Sequence, residues 1–183
     1  MELLTVMAIF AVVSAIVLAN YHGFGRKTAL KNLAYNIALA IREAQVSGIT
    51  GRNVETVGGD YYSSYGMYFS ASTPKEYIFF KDRPTLGNQF KYDNTPEELV
   101  GDYKILSDHS ITKLCVFNTP SGACNNVAEL NITFRRPQPD AHIYTGSGHT
   151  PMPEAAIEVS SSDGDKLYVV VSATGQISVQ KTL

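Results

Sequence analysis

One uninterrupted apolar run constrains this chain more than any other feature. From Leu3 to Ala19 the sequence LLTVMAIFAVVSAIVLA holds no charged residue, and Thr5 and Ser14 are its only polar groups. The run approaches the roughly 20 residues that cross a bilayer, so a membrane helix is expected. A cleaved signal peptide would begin with basic residues and end its shorter apolar core at a small-residue cleavage site. Here the acidic Glu2 stands at the start, and helical periodicity continues beyond the run.

In that continuation, from Lys27 to Ser47, Leu30, Leu33, Ile37, Ile41 and Ala44 recur at spacings of three and four and form one apolar stripe. Together the two segments predict a helix from about residue 2 to about residue 48, roughly 70 Å long at 1.5 Å per residue. Its second half has one face for a globular head, while Lys31, Asn32, Asn36, Arg42 and Glu43 turn outward. Tyr35 and Leu39 share the outward side. They read either as contacts to neighbouring copies or as the single exposed apolar residues found on any surface. Gly23 and Gly25 interrupt the rod in NYHGFGRKT, where each costs a helix interior about 1 kcal/mol relative to alanine. A hinge and a plain boundary between two helices both fit. Ala8, Ala11, Ala15 and Ala19 make a small-residue stripe of the kind that lets membrane helices approach closely.

The segment Met1 to Tyr21, MELLTVMAIFAVVSAIVLANY, resembles the N-terminal segment of type IV pilins and type II secretion pseudopilins, in which one glutamate precedes a long apolar helix. The closing KLYVVVSATGQISVQ also resembles the last strands of the pseudopilin-like group, less specifically. A carboxylate in a membrane helix costs some 2.5 to 3.5 kcal/mol on insertion scales unless a cation partners it. The resemblance implies that Glu2 pairs with the N-terminal amine of the neighbouring subunit, which puts Glu2 and Met1 at the assembly contact. It further implies other copies of the chain as partners in a homopolymeric filament, with an inner-membrane assembly machinery, a prepilin peptidase, and the membrane itself before assembly.

Beyond Gly48 the pattern changes to strands and turns. Tyr65–Phe69, Glu76–Lys81, Gln89–Tyr92 and Tyr103–Leu106 are short aromatic or β-branched runs separated by Gly, Pro, Asn and Asp. Clear alternation follows in Leu130, Ile132 and Phe134, then Ala155, Ile157 and Val159, then Leu167, Val169 and Val171, then Ile177 and Val179. Asp163-Gly164 and Thr174-Gly175 supply turns that make an antiparallel meander of the last three runs. The expected fold class is α+β: a long N-terminal helix packed on an antiparallel sheet head. Residues 1–25 would form the transmembrane or filament-core part, 26–50 the amphipathic part and 51–183 the β-rich head.

Little in the sequence points to chemistry. The four histidines, His22, His109, His142 and His149, are scattered, and no hydrolase, zinc-protease or P-loop spacing occurs. Neither catalysis nor a cofactor is expected. Cys115 and Cys124 bracket VFNTPSGA and lack the four ligands of a metal site, so they are expected to form a disulfide in an oxidising compartment. Asp163 and Asp165 fit a hairpin turn better than a calcium site. Asn131 heads an N-x-T sequence and is a candidate glycosylation acceptor, although it falls in a predicted strand. A net charge of −2 carries no basic field for nucleic acid and identifies no such partner.

The expected function is that of a structural subunit of an extracellular filament, moving from the cytoplasmic membrane into a type IV pilus. A minor pilin or a subunit of a periplasmic secretion pseudopilus is an alternative. A single-pass anchored binding module is an alternative of another class.

Overall fold

The computed structural model describes residues 2–51, 64–82, 89–94, 99–119, 122–146 and 150–183; within them, the side chains of 19–24 are not described. A helix, α1 (Glu2–Thr50), opens the chain. Among the described residues ten strands follow: β1 (Ser64–Ser70), β2 (Glu76–Asp82), β3 (Leu99–Lys104), β4 (Ser110–Phe117), β5 (Asn125–Asn126), β6 (Glu129–Phe134), β7 (Ala141–Thr145), β8 (Glu154–Ser160), β9 (Lys166–Ser172) and β10 (Ile177–Gln180). They form two five-stranded antiparallel sheets, ordered β3-β2-β1-β6-β7 and β10-β9-β8-β4-β5.

This architecture corrects the expected fold class. The protein is mostly β and built on two sheets, where α+β with a long helix on one sheet head was expected. Residues 26–50 pack against β1 and β6 of the first sheet and against β8, β9 and β10 of the second. Leu30, Leu33, Ile37, Ile41 and Ala44, the predicted stripe, are all buried in one core with Met67 and Phe69 of β1, Ile132 of β6 and Ile157 of β8. A membrane span was also expected at residues 1–25. Among the described residues no helix is long and apolar enough to cross a membrane.

Gln45 fastens the helix to two connections, the one before β7 of the first sheet and the β9–β10 turn of the second. It is 2% exposed, and its Nε2 donates to the carbonyls of Pro139 at 2.9 Å and Gly175 at 3.0 Å. The predicted meander forms as β8-β9-β10, with Gly164 (φ 88°) and Gly175 (φ 81°) in the left-handed conformation its two turns require.

Gln89–Tyr92 was expected as a strand and is instead a strap across the outer face of the first sheet. The Phe90 amide donates to Asp82 Oδ2 at 2.9 Å, the Tyr92 amide to Asn131 Oδ1 at 3.0 Å, and Lys91 Nζ to the Gly146 carbonyl at 3.0 Å. Side chains of the sheet thus accept the backbone donors that a strand would give to a neighbouring strand. Phe90 takes φ 66° and stacks on His142 (4.3 Å between ring centroids) and Tyr144 (5.7 Å).

Candidate assembly surface

Residues 2–18 bury nothing of their own. From Leu3 to Leu18 the large apolar side chains are 53–76% exposed, whereas the sheets and the second half of α1 close a complete core without them. Helix formation satisfies the backbone of this segment, and Thr5 Oγ1 adds a bond to the Glu2 carbonyl at 2.7 Å. Among the described residues nothing packs over its large apolar side chains. Ala8, Ala11 and Ala15 lie exposed on one flank; Met1 is outside the described residues, as are the side chains of Ala19 and Gly23. The Glu2 carboxylate has no ionic partner among the described residues. At Gly25 the chain is helical and nothing lies within 4 Å of where a Cβ would stand, so packing does not require the glycine.

Where α1 meets the head, the β8–β9 turn holds it by charge. Asp163 Oδ2 lies 2.6 Å from Arg26 Nε, and Asp165 Oδ2 lies 3.8 Å from Lys27 Nζ. The two acids that had suggested a calcium site or a plain turn therefore sit in a turn and bind the helix. Among the described residues no group of acids, histidines and cysteines is arranged to hold a metal.

Further along α1, the outward face carries a second apolar stripe. Tyr35 is 48% exposed, Leu39 65% and Val46 50%. Val46 extends the stripe that the sequence showed only as Tyr35 and Leu39, and its place seven residues beyond Leu39 was the available signal. Tyr35, Leu39 and Arg42 form one wall of a groove of about 410 Å³, and Ile177 and Val179 of the edge strand β10 form the other. The Arg42 guanidinium bonds the Gln45 amide oxygen. Lys31, one turn before Tyr35, holds its ammonium 5.9 Å from the Tyr35 ring and has no carboxylate partner among the described residues.

The remaining predicted sites are structural. Cys115 and Cys124 are joined, Sγ to Sγ at 2.05 Å, and Cys115 packs with Phe117, Ala156 and Val170 on the outer side of the second sheet. Asn131, the candidate glycosylation acceptor, is 2% exposed and accepts the Tyr92 amide, so its side chain serves the strap and is closed to a glycosyl carrier. Asp82 is 3% exposed; burial pushes its carboxyl above the usual carboxylate range, against the hydrogen bonds from the Ser64 hydroxyl and the Phe90 amide. No family model, curated protein or solved structure matches the chain.

Proposed function

We propose that this protein is the structural subunit of an extracellular helical filament of the type IV pilus kind, polymerising through its N-terminal hydrophobic helix. The observation that carries the reading is the exposure of every large apolar side chain from Leu3 to Leu18 beside a head whose core is already complete. A continuous apolar surface of that extent on a soluble monomer marks an interaction site. Other copies of the same helix supply a matching cover. The likeness of Met1–Tyr21 to pilin and pseudopilin N-termini agrees with this, and the Cys115–Cys124 disulfide suits an oxidising, exposed location.

The test is electron microscopy of the full chain, purified in detergent and then freed of it. Filaments with a core of packed helices are expected, and a Val6→Lys, Val13→Lys double variant should remain dispersed with a folded head. Wild-type protein that stays monomeric overturns the proposal. So does a variant that polymerises as well as wild type, or a wild type that enters lipid vesicles without self-association, the behaviour of an anchored binding module.

A further inference from the structure

The first sheet ends in β3, and among the described residues nothing pairs with the outer side of that strand. At the other end of the sheet β7 is closed: the Ile143 carbonyl accepts the Met152 amide at 2.9 Å, and the Ala141 amide donates to the Ala173 carbonyl at 2.8 Å. An open strand edge offers its backbone donors and acceptors as a template for another strand. Apolar side chains on this edge are also uncovered. Leu99 is 46% exposed, Val100 50% and Leu106, just past the strand, 95%.

Hydrogen-bond alternation decides which residues of β3 face outward. Tyr103 lies opposite Tyr77 and Lys104 opposite Glu76, and in the same register the Ile105 amide donates to the Lys75 carbonyl at 2.8 Å. Bonded and non-bonded positions alternate along an antiparallel pair, so Gly101 and Tyr103 bond to β2, while Asp102 and Lys104 turn amide and carbonyl to the open side. The register shift at Phe79/Phe80 ends this regularity beyond Gly101. A second β3, run antiparallel about a two-fold axis at Tyr103, meets each outward group. Asp102 then faces the partner's Lys104 and Lys104 the partner's Asp102, with two backbone hydrogen bonds in each pair. At either end Val100 faces the partner's Leu106.

Charge selects this register from its neighbours. Asp102 and Lys104 share one face of β3, with 3.5 Å between Oδ2 and Nζ. Sliding the partner by two residues would set Asp102 against Asp102 or Lys104 against Lys104, and a parallel in-register pair would do both; like charges directly opposite are unfavourable. A slide of one residue would put outward groups opposite inward ones. With the axis at Tyr103 the four charges alternate in sign. Tyr103 keeps its own contacts, stacked on Tyr77 and donating to Glu43 Oε2 of α1 at 3.0 Å, so pairing needs no rearrangement of the head. We infer that β3 pairs with β3 of a second copy, antiparallel and centred on Tyr103, which joins the two first sheets into one continuous sheet. Each copy uses the same edge, so the contact is isologous and closes as a dimer. It is separate from the apolar helix at residues 2–18 and does not depend on the filament reading.

The experiment uses the full chain in mild detergent, which covers residues 2–18, and reads sedimentation velocity and non-reducing gels. Wild type is expected as a dimer in equilibrium with monomer. Tyr103→Cys should give a covalent dimer after mild oxidation, since directly opposed non-bonded residues stand about 4.5 Å apart at Cα, within disulfide reach. Leu106→Cys, at the more exposed site, should give none, because the two copies of that residue would lie about 20 Å apart along the paired strands. Asp102→Lys and Lys104→Asp change exposed side chains, and each should weaken the dimer about tenfold as both cross-strand ion pairs become repulsive. The two together should restore it. A wild type that sediments as monomer at every concentration overturns the proposal. Equal trapping through Leu106→Cys marks chance collision and overturns it too, and a double variant as weak as the single ones overturns the register.

Discussion

Replacing Gly48 by alanine tests how closely the helix is seated. Glycine is a poor residue inside a helix, and alanine there is ordinarily worth about 1 kcal/mol of added stability. At Gly48 a Cβ would stand 2.4 Å from the Phe134 carbonyl oxygen and 2.8 Å from its carbon, both in the backbone of β6. Neither atom can rotate away, so α1 or β6 must withdraw, and the Ile37, Ile41 and Phe134 packing loosens with it. Overpacking of this kind costs about 1–3 kcal/mol, with rigid backbone contacts at the upper end. Offset by the gain in helix propensity, the net effect is a loss of about 1–2 kcal/mol, or a fall in Tm of about 2–8 °C for a chain of this size. Gly25→Ala provides the internal control. It lies in the same helix with nothing within 4 Å, so it should raise stability by about 0.5–1 kcal/mol. Circular dichroism melts of both variants in the same mild detergent give the comparison. A Gly48→Ala protein as stable as wild type, or stabilised like Gly25→Ala, would refute the close approach of helix and strand.

Three other outcomes are expected. Gln45→Met keeps the side-chain volume but strands the Pro139 and Gly175 carbonyls, and should cost about 2–3 kcal/mol in urea unfolding; an unchanged midpoint would remove Gln45 as the fastening of the helix. Asp82 has a folded pKa raised mainly by burial, so its contribution to stability is present below its unfolded value and is lost as pH rises through the folded one. Asp82→Asn should therefore gain on wild type as pH rises from about 4 towards neutrality, and a gain that shrinks over this range contradicts the assignment. Reduction of the Cys115–Cys124 bond, which closes a loop over a sequence separation of 9, should lower stability by roughly 2–3 kcal/mol without disturbing filament formation, because the bond packs among Phe117, Ala156 and Val170 of the second sheet and not on residues 2–18. Filament yields with and without reductant check the second half of that statement.

Local periodicity made several elements legible. The stripe from Leu30 to Ala44 is buried as its spacing predicts, because a helix with one apolar face has only one way to turn towards a core. The β8-β9-β10 meander was readable because regular alternation and two glycine turns coincide there. Other elements were hidden for identifiable reasons. In β4 the pairing register shifts between Ile111 and Lys113, which breaks the alternation that would have marked a strand. β7, Ala141–Thr145, is short and places His142 and Tyr144 outward under the strap, so its apolar pattern is spread over both faces. Gln89–Tyr92 is aromatic enough to read as a strand, yet Asp82 and Asn131, far from it in sequence, accept its amides.

By itself the sequence determined an apolar helix with no internal partner, an amphipathic continuation, a disulfide loop and a β-rich remainder, since each depends on composition and spacing within one segment. Only the tertiary structure decided that the strands divide into two sheets, that the helix bridges both, that Asn131 is closed off, and that Tyr35, Leu39 and Arg42 stand beside the open edge of β10. Those features depend on which distant segments come to share a face. Segment-by-segment periodicity carries no information about that choice, because it is made by burying all the apolar faces together.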